Sequence, residues 1–202
     1  MAHIDISHEE IYQNINSSLV QYSEDLQPIF DEILVVEDRY DKGSVVNQGG
    51  MKKILKTIDS LTNRPVAKAV LIDFEDADKA ESFLREARLT AALEHPNIIP
   101  VYDIGVDDTQ GPFFTMKLVG GKNLAEILKK MSKEQEQSNY SLRDLLTIFL
   151  KICDAIHYAH SKGILHLDLK PENIQIGDYG EVLVCDWGLA KVMEHVANGE
   201  SE

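Results

Sequence analysis

Only two cysteines and one tryptophan occur in the 202 residues, and no stretch approaches the roughly 20 consecutive apolar residues that a membrane-spanning helix needs. The opening MAHIDISHEEIYQNI has no basic segment followed by an apolar one, so no signal peptide is expected and a cytoplasmic location is. Cys153 and Cys185 lack metal-ligand spacing and lie in apolar surroundings, which predicts two buried thiols. Positive charge is scarce too: 20 Lys and Arg stand against 34 Asp and Glu, a formal net charge of -14. That balance excludes non-specific binding to nucleic acid or to anionic membranes, so neither is expected as a partner. A hydrophobic content of 44% and a charged content of 27% belong to a folded globular chain.

Three segments differ in pattern. Residues 1–38 read as a helical extension: Ser7 and Glu10 have capping-box spacing, and Ile11, Ile15, Leu19 and Tyr22 recur at helical intervals. A second short helix is expected over Asp25 to Leu34. Residues 39–119 are mostly strand. RYDKGSVVNQGGMKKILKTID predicts a hairpin around a glycine turn, and LTNRPVAKAVLI a third strand after a turn at Thr62 and Asn63. DADKAESFLREARLTAALEHP predicts a helix with Ala80, Phe83, Leu84, Ala87 and Ala91 on one stripe, ending before Pro96. NIIPVYDIGVDD and GPFFTMKLV supply two further strands. Residues 120–202 begin with Gly120 and Gly121, then carry two helices, NLAEILKKMS and LRDLLTIFLKICDAIHYAHSKG, and two short strands, IQIGD and EVLVCD. The order is α+β: a small, mostly antiparallel β part, then a helical part.

The chemistry gathers late in the chain. His166-Leu167-Asp168-Leu169-Lys170-Pro171-Glu172-Asn173 is followed by Asp186-Trp187-Gly188. An isolated aspartate after a helix is ordinarily a cap, but Asp168, Lys170, Asn173 and Asp186 group in loops beside short strands. Carboxylates, an amide oxygen and a cation suit a magnesium–phosphate site. Here the sequence resembles the protein kinase superfamily, and most closely the bacterial Ser/Thr kinases of eukaryotic type. HLDLKPEN is similar to the catalytic-loop pattern HRDLKPEN at all but one place, and DWG to DFG.

The resemblance runs from about Arg39 to the end and implies a kinase-like fold: an antiparallel β N-lobe with its helix C, then a partial helical C-lobe. By position it implies that Asp168 takes the substrate hydroxyl proton, that Lys170 steadies the transferring phosphate, and that Asn173 and Asp186 hold Mg2+. Glu86 falls at the helix-C glutamate. Met116 falls at the gatekeeper, so the backbone of Lys117 and Val119 is expected at the adenine edge, with Ala67 facing the base. Val46, Asn47, Gly49, Gly50, Lys52 and Ile54 would border ATP from the hairpin, and Gln175 would lie beneath adenine where an apolar residue is usual. An acidic chain must then place its cations locally.

Three departures carry as much information as the matches. The family pattern V-A-I-K puts a phosphate-anchoring lysine on the third strand, but here the run is Val66-Ala67-Lys68-Ala69. Neighbouring strand residues face opposite ways, so Lys68 is expected to point away from the cleft that Ala67 and Ala69 face. The glycine loop is altered as well: Asn47 replaces its first glycine and Lys52 its third. Asn tolerates left-handed backbone angles, so the turn survives. Lys52 is similar to the lysine that the with-no-lysine kinases use at that position, and is expected to reach the phosphates in place of the absent third-strand residue. The ordinary alternative for Lys52 and Lys53 is a pair of exposed strand charges. Third, Leu167 replaces an arginine that in many kinases meets an activation-loop phosphate, so loop phosphorylation is not expected to be the switch.

The chain stops some 14 residues after Gly188, ahead of an A-P-E-like motif, so it is expected to be truncated. The helix from Leu142 to Lys162 would then expose its inner stripe and favour self-association. The first reading is an ATP- and magnesium-dependent protein Ser/Thr kinase using Lys52 and Asp168. The second is a pseudokinase or nucleotide-binding scaffold, which Ala69, Asn47, Gln175 and the early stop favour. A small-molecule kinase of related fold is a third.

Overall fold

The computed structural model describes residues 39–73, 75–107, 110–133 and 140–193. The two helices expected before Arg39 lie outside the described residues. The elements are β1 Ser44–Gln48, β2 Lys52–Asp59, β3 Arg64–Leu71, α1 Ala77–Ala91, β4 Val101–Asp107, β5 Gly111–Lys117, β6 Lys122–Asn123, α2 Leu124–Lys133, α3 Leu142–Ser161, β7 Ile164–Leu165, β8 Ile174–Ile176, β9 Val182–Val184 and β10 Lys191–Val192. A 3-10 turn, Pro171–Asn173, precedes β8.

The first five strands form one antiparallel sheet in the order β1-β2-β3-β5-β4. The expected hairpin closes at the glycine turn, where the Gly49 amide donates to the Lys52 carbonyl at 2.9 Å. Asn63 takes the left-handed turn before β3, with φ 51°. β3 pairs with β2 and β5 without a register shift, so no bulge rephases its side chains. Period-two alternation then sorts them. Ala69 and Leu71 face α1 and pack with Phe83, Ala87 and Phe114. Val70 faces the other way, with Leu55, Phe113 and Tyr40.

Helix α1 starts at Asp76, whose carboxylate accepts from the amides of Asp78 and Lys79. Its buried residues are Phe83, Glu86, Ala87 and Thr90, while Ala91, expected on the apolar stripe, is exposed. Thr90 takes that inner place because its hydroxyl donates to the Glu86 carbonyl, leaving its methyl to the core.

The helical half is built on α3. Ser141 and Asp144 form a capping box at its start, and Gly163, with φ 71°, turns the chain after its end. Ile148, Ile152, Ala155 and Ala159 enter a core with Ile98, Ile174, Val184 and the fully buried Trp187. Two backbone hydrogen bonds join this half to the segment ahead of β4, Ile99 N to Val184 O at 3.1 Å and Val184 N to Asn97 O at 2.8 Å, and Asn97 Nδ2 donates to Val182 O at 2.9 Å. Beyond the strands expected from sequence, Lys191–Val192 form β10, which pairs with β7. Cys153 is a correction: it lies on the exposed side of α3 instead of inside, because the core takes only one face of that helix.

Candidate functional site

A cavity of about 550 Å3 opens between the five-stranded sheet and the helical half. From the sheet, Val46, Asn47, Lys52, Ile54, Ala67 and Met116 line it. Lys117 and Val119 border it where the chain passes between the two halves, and Glu86 enters from α1. Asn173, Gln175 and Asp186 close it from below. These twelve are all among the residues named from sequence. Four others stand apart: Gly49 and Gly50 form the hairpin tip, and Asp168 and Lys170 lie in the loop before the 3-10 turn, none of them on the cavity wall.

Two backbone details correct the expectations about the hairpin. Asn47 sits in β1 without a left-handed φ, and its side-chain oxygen accepts from the Gln48 amide at 2.8 Å. The irregularity is a register shift between Val45 and Asn47, so a bulge absorbs what a glycine would otherwise permit. Ala69 shares a face with Ala67 but is fully buried behind the cavity wall, against Phe83 and Phe114.

The two lysines go to opposite sides of the sheet. Lys68 is buried on the outer face, where its ammonium meets Asp107 Oδ2 at 3.0 Å and lies 4.3 Å from the Phe113 ring centre. Lys52 opens β2, and its ammonium enters the cleft to bond Glu86 Oε1 and, at 3.0 Å, Asp186 Oδ1. Burial draws the Lys52 pKa down, but the Glu86 and Asp186 carboxylates outweigh it and leave it above the ordinary lysine value. Glu86 is only 4% exposed, and burial holds its carboxyl above the usual range against the pull of Lys52.

The loop residues are tied to one another. Lys170 Nζ lies 2.6 Å from Asp168 Oδ2, and this contact holds the Asp168 carboxyl below its ordinary value. Asn173 Nδ2 donates to the Asp168 backbone oxygen at 2.9 Å and to Oδ2 at 3.1 Å. His166 Nδ1 accepts from the Asp168 amide, so Nε2 carries the proton given to the Cys185 carbonyl. Burial keeps this imidazole below its ordinary pKa, and its ring packs on Trp187 at 4.5 Å between centres. His166 thus fixes the loop bearing Asp168 to the strand end bearing Asp186. Both Leu167 and Asp186 hold φ 61°, a left-handed conformation uncommon for residues other than glycine. The Cys185 thiol lines the cavity but is pushed up to about 12 by burial, which makes it packing material and not a nucleophile.

Residues 40–201 match the protein kinase domain family. The chain belongs to that family. Among curated proteins it is 41% identical over 168 residues to a Serine/threonine-protein kinase PknD of Protochlamydia amoebophila, covering 79% of this chain and 17% of that protein. It is 39% identical over 172 residues to the PknD of Chlamydia muridarum, covering 81% and 18%. For the PknD of Chlamydia trachomatis serovar D the figures are 41% over 160 residues, covering 75% and 17%. The chain therefore spans less than a fifth of the length of these relatives. The resemblance to bacterial Ser/Thr kinases and the kinase-like α+β fold stand on these matches and on the sheet-then-helix architecture.

Sequence reasoning passed over several residues on the kinase cavity: Thr90, Ile99, Phe114, Asn123, Glu126 and Glu172. One pair was readable. Asn123 and Glu126 have capping-box spacing, and they exchange backbone-to-side-chain bonds of 2.9 and 3.1 Å at the start of α2. The link between Lys117 Nζ and Glu181 Oε1, at 3.1 Å, was not readable, since 64 residues separate the partners. Among the described residues no helix is long and apolar enough to cross a membrane.

Proposed function

We propose that this chain is the nucleotide-binding and catalytic-loop region of a protein Ser/Thr kinase that takes ATP with Mg2+, with Lys52 in place of the missing third-strand lysine. The observation that carries the reading is the position of the Lys52 ammonium, on Glu86 and Asp186 within the cavity, while Lys68 is spent on the far face of the sheet. Lys52 is thereby poised for the α- and β-phosphates, as strand geometry alone forbids for Lys68. Lys117 and Val119 offer their backbone to adenine, Ala67 leaves room above it, and Gln175 lies below.

The residues present fit a hard divalent cation. The amide NH2 of Asn173 is spent on Asp168, which leaves its oxygen for a ligand, and Asp186 supplies a carboxylate. The metal, when bound, would neutralise phosphate charge and hold the phosphates in line. Asp168 accepts the proton of the acceptor hydroxyl, and Lys170, 2.6 Å from it, stands where the transferred group gathers charge. The exposed apolar side of α3 supports self-association of the isolated chain, and the substrate is a protein hydroxyl.

Heat denaturation with and without ATP and Mg2+ tests the binding. At about 100-fold excess over Kd the ligand should stabilise by about 2.7 kcal/mol, which raises Tm by roughly 5–10 °C for a chain of this size. Lys52→Ala should lose that protection; equal protection in both would remove Lys52 from the role. Autophosphorylation lost in Asp168→Asn identifies a catalyst, whereas binding without any phosphorylation in the wild type leaves a nucleotide-binding scaffold.

A further inference from the structure

A second cavity, of about 420 Å3, lies where α1 ends and the chain turns into β4. Its wall is largely apolar, with Ala91, Leu93, Pro96, Ile98, Pro100 and Val101. Leu93 and Ile98 are buried, while Ala91, Pro96 and Pro100 stand exposed. A concave apolar surface with an exposed rim marks a place where another element binds. This cavity and the first share one residue: Thr90 lines both, and its hydroxyl donates to the Glu86 carbonyl at 2.8 Å. Whatever fills the second cavity therefore bears on the turn of α1 that carries Glu86.

The chain ahead of Arg39 has the reach and the side chains to fill it. Arg39, the first described residue, is pinned close by: its guanidinium bonds Asp59 at 2.9 and 3.0 Å and Asp103 Oδ2 at 2.9 Å. Asp103 stands two residues after Val101 on β4, a rise of about 7 Å. β4 is the edge of its sheet, so the chain can pass from the face that Arg39 covers to the side of α1. In the helix expected over Asp25 to Leu34, Leu26, Ile29, Phe30 and Ile33 form one stripe at i, i+3, i+4 and i+7, the spacing of a helix that lies in an apolar groove. From Ile33 to Arg39 an extended chain spans up to about 20 Å, which covers the distance. We propose that residues 26–33 seat this apolar stripe in the second cavity of the same chain and, through Thr90, brace the end of α1. Residues 1–38 hold nine Asp and Glu and no Lys or Arg, and Glu94 also borders the cavity, so the seat is apolar and not ionic. It involves neither Lys52 nor ATP, and so stands or falls apart from the proposed function.

Backbone hydrogen exchange of the whole 202-residue chain, read by mass spectrometry without nucleotide, tests the seat. In the wild type, residues 26–36 and 86–101 should both be protected. Phe30→Glu should speed exchange in both segments by at least about tenfold, as when a docked element opens. Ala91→Trp, which crowds the rim from the other side, should release residues 26–36 to a similar degree. The two substitutions together should add little to either alone, because they break one contact. Melting curves establish that each variant is folded, and Leu26→Ser, on the same stripe, serves where Phe30→Glu does not fold. A folded Phe30→Glu variant that leaves residues 86–101 unchanged overturns the seat. So does a loss of protection that falls on residues 142–150, which would put the stripe on the exposed side of α3 instead. Protection that fades on dilution would show that a second copy supplies the segment, and overturns it too.

Discussion

Lysines 52 and 68 lie on adjacent strands, and strand parity alone sends one into the cleft and the other out of it. Lys68 is 1% exposed, held by Asp107 and by the faces of Phe113 and Tyr40. Lys68→Ala should therefore lower stability by about 2 kcal/mol, less than the 3–5 kcal/mol of a fully buried pair because the Asp107 side chain keeps 24% exposure. It should leave ATP protection intact. Lys52→Ala should differ in its effect on ligand: ATP protection is lost, together with a fall in urea midpoint at least as large, because it leaves Glu86, 4% exposed, without its cation. A Lys68→Ala variant that melts normally but no longer responds to ATP would place the anchor on β3 after all. This division was legible in the sequence because side chains alternate with a fixed period of two and β3 carries no bulge. The exposure of Cys153 was not, since α3 is apolar on two faces and only packing decides which one the core takes.

At the scale of elements, glycines that look alike in sequence serve different ends. Gly121, between β5 and β6, has φ 89°, and a Cβ there would stand 2.1 Å from the Ile176 carbonyl oxygen. Gly50, in the hairpin tip, has φ outside the left-handed range and open space around a Cβ. Gly121→Ala should cost at least about 2 kcal/mol in urea unfolding, through combined strain and clash, while Gly50→Ala should stay within about 0.5 kcal/mol. Comparable losses at both would mean that the hairpin tip is packed more tightly than its geometry implies. The strands and helices themselves were readable from turn residues, caps and apolar spacing. β10 was not, because Lys191–Val192 are two residues paired with the distant β7, and such a pairing leaves no local periodicity. Nor was the substitution of Thr90 for Ala91 on the inner face of α1, which depends on a hydroxyl returning to the helix backbone.

At the scale of the whole molecule, charge and apolar surface oppose each other. The formal net charge of -14 makes copies of the chain repel at low salt. Against this, α3 presents Leu142, Leu146, Phe149 and Leu150 at 73%, 55%, 59% and 63% exposure, spaced along one side of the helix. If that stripe drives association, screening the repulsion should strengthen it, whereas contacts made by ion pairs should weaken as salt rises. Sedimentation velocity of the 202-residue chain at rising NaCl should accordingly show a growing share of dimer or larger species. Phe149→Glu combined with Leu146→Lys should return the chain to monomer at every salt concentration without altering ATP protection, because neither residue borders the cavity. Association that falls with salt, or that survives both substitutions, would assign it to another surface and leave the apolar side of α3 without a part in it.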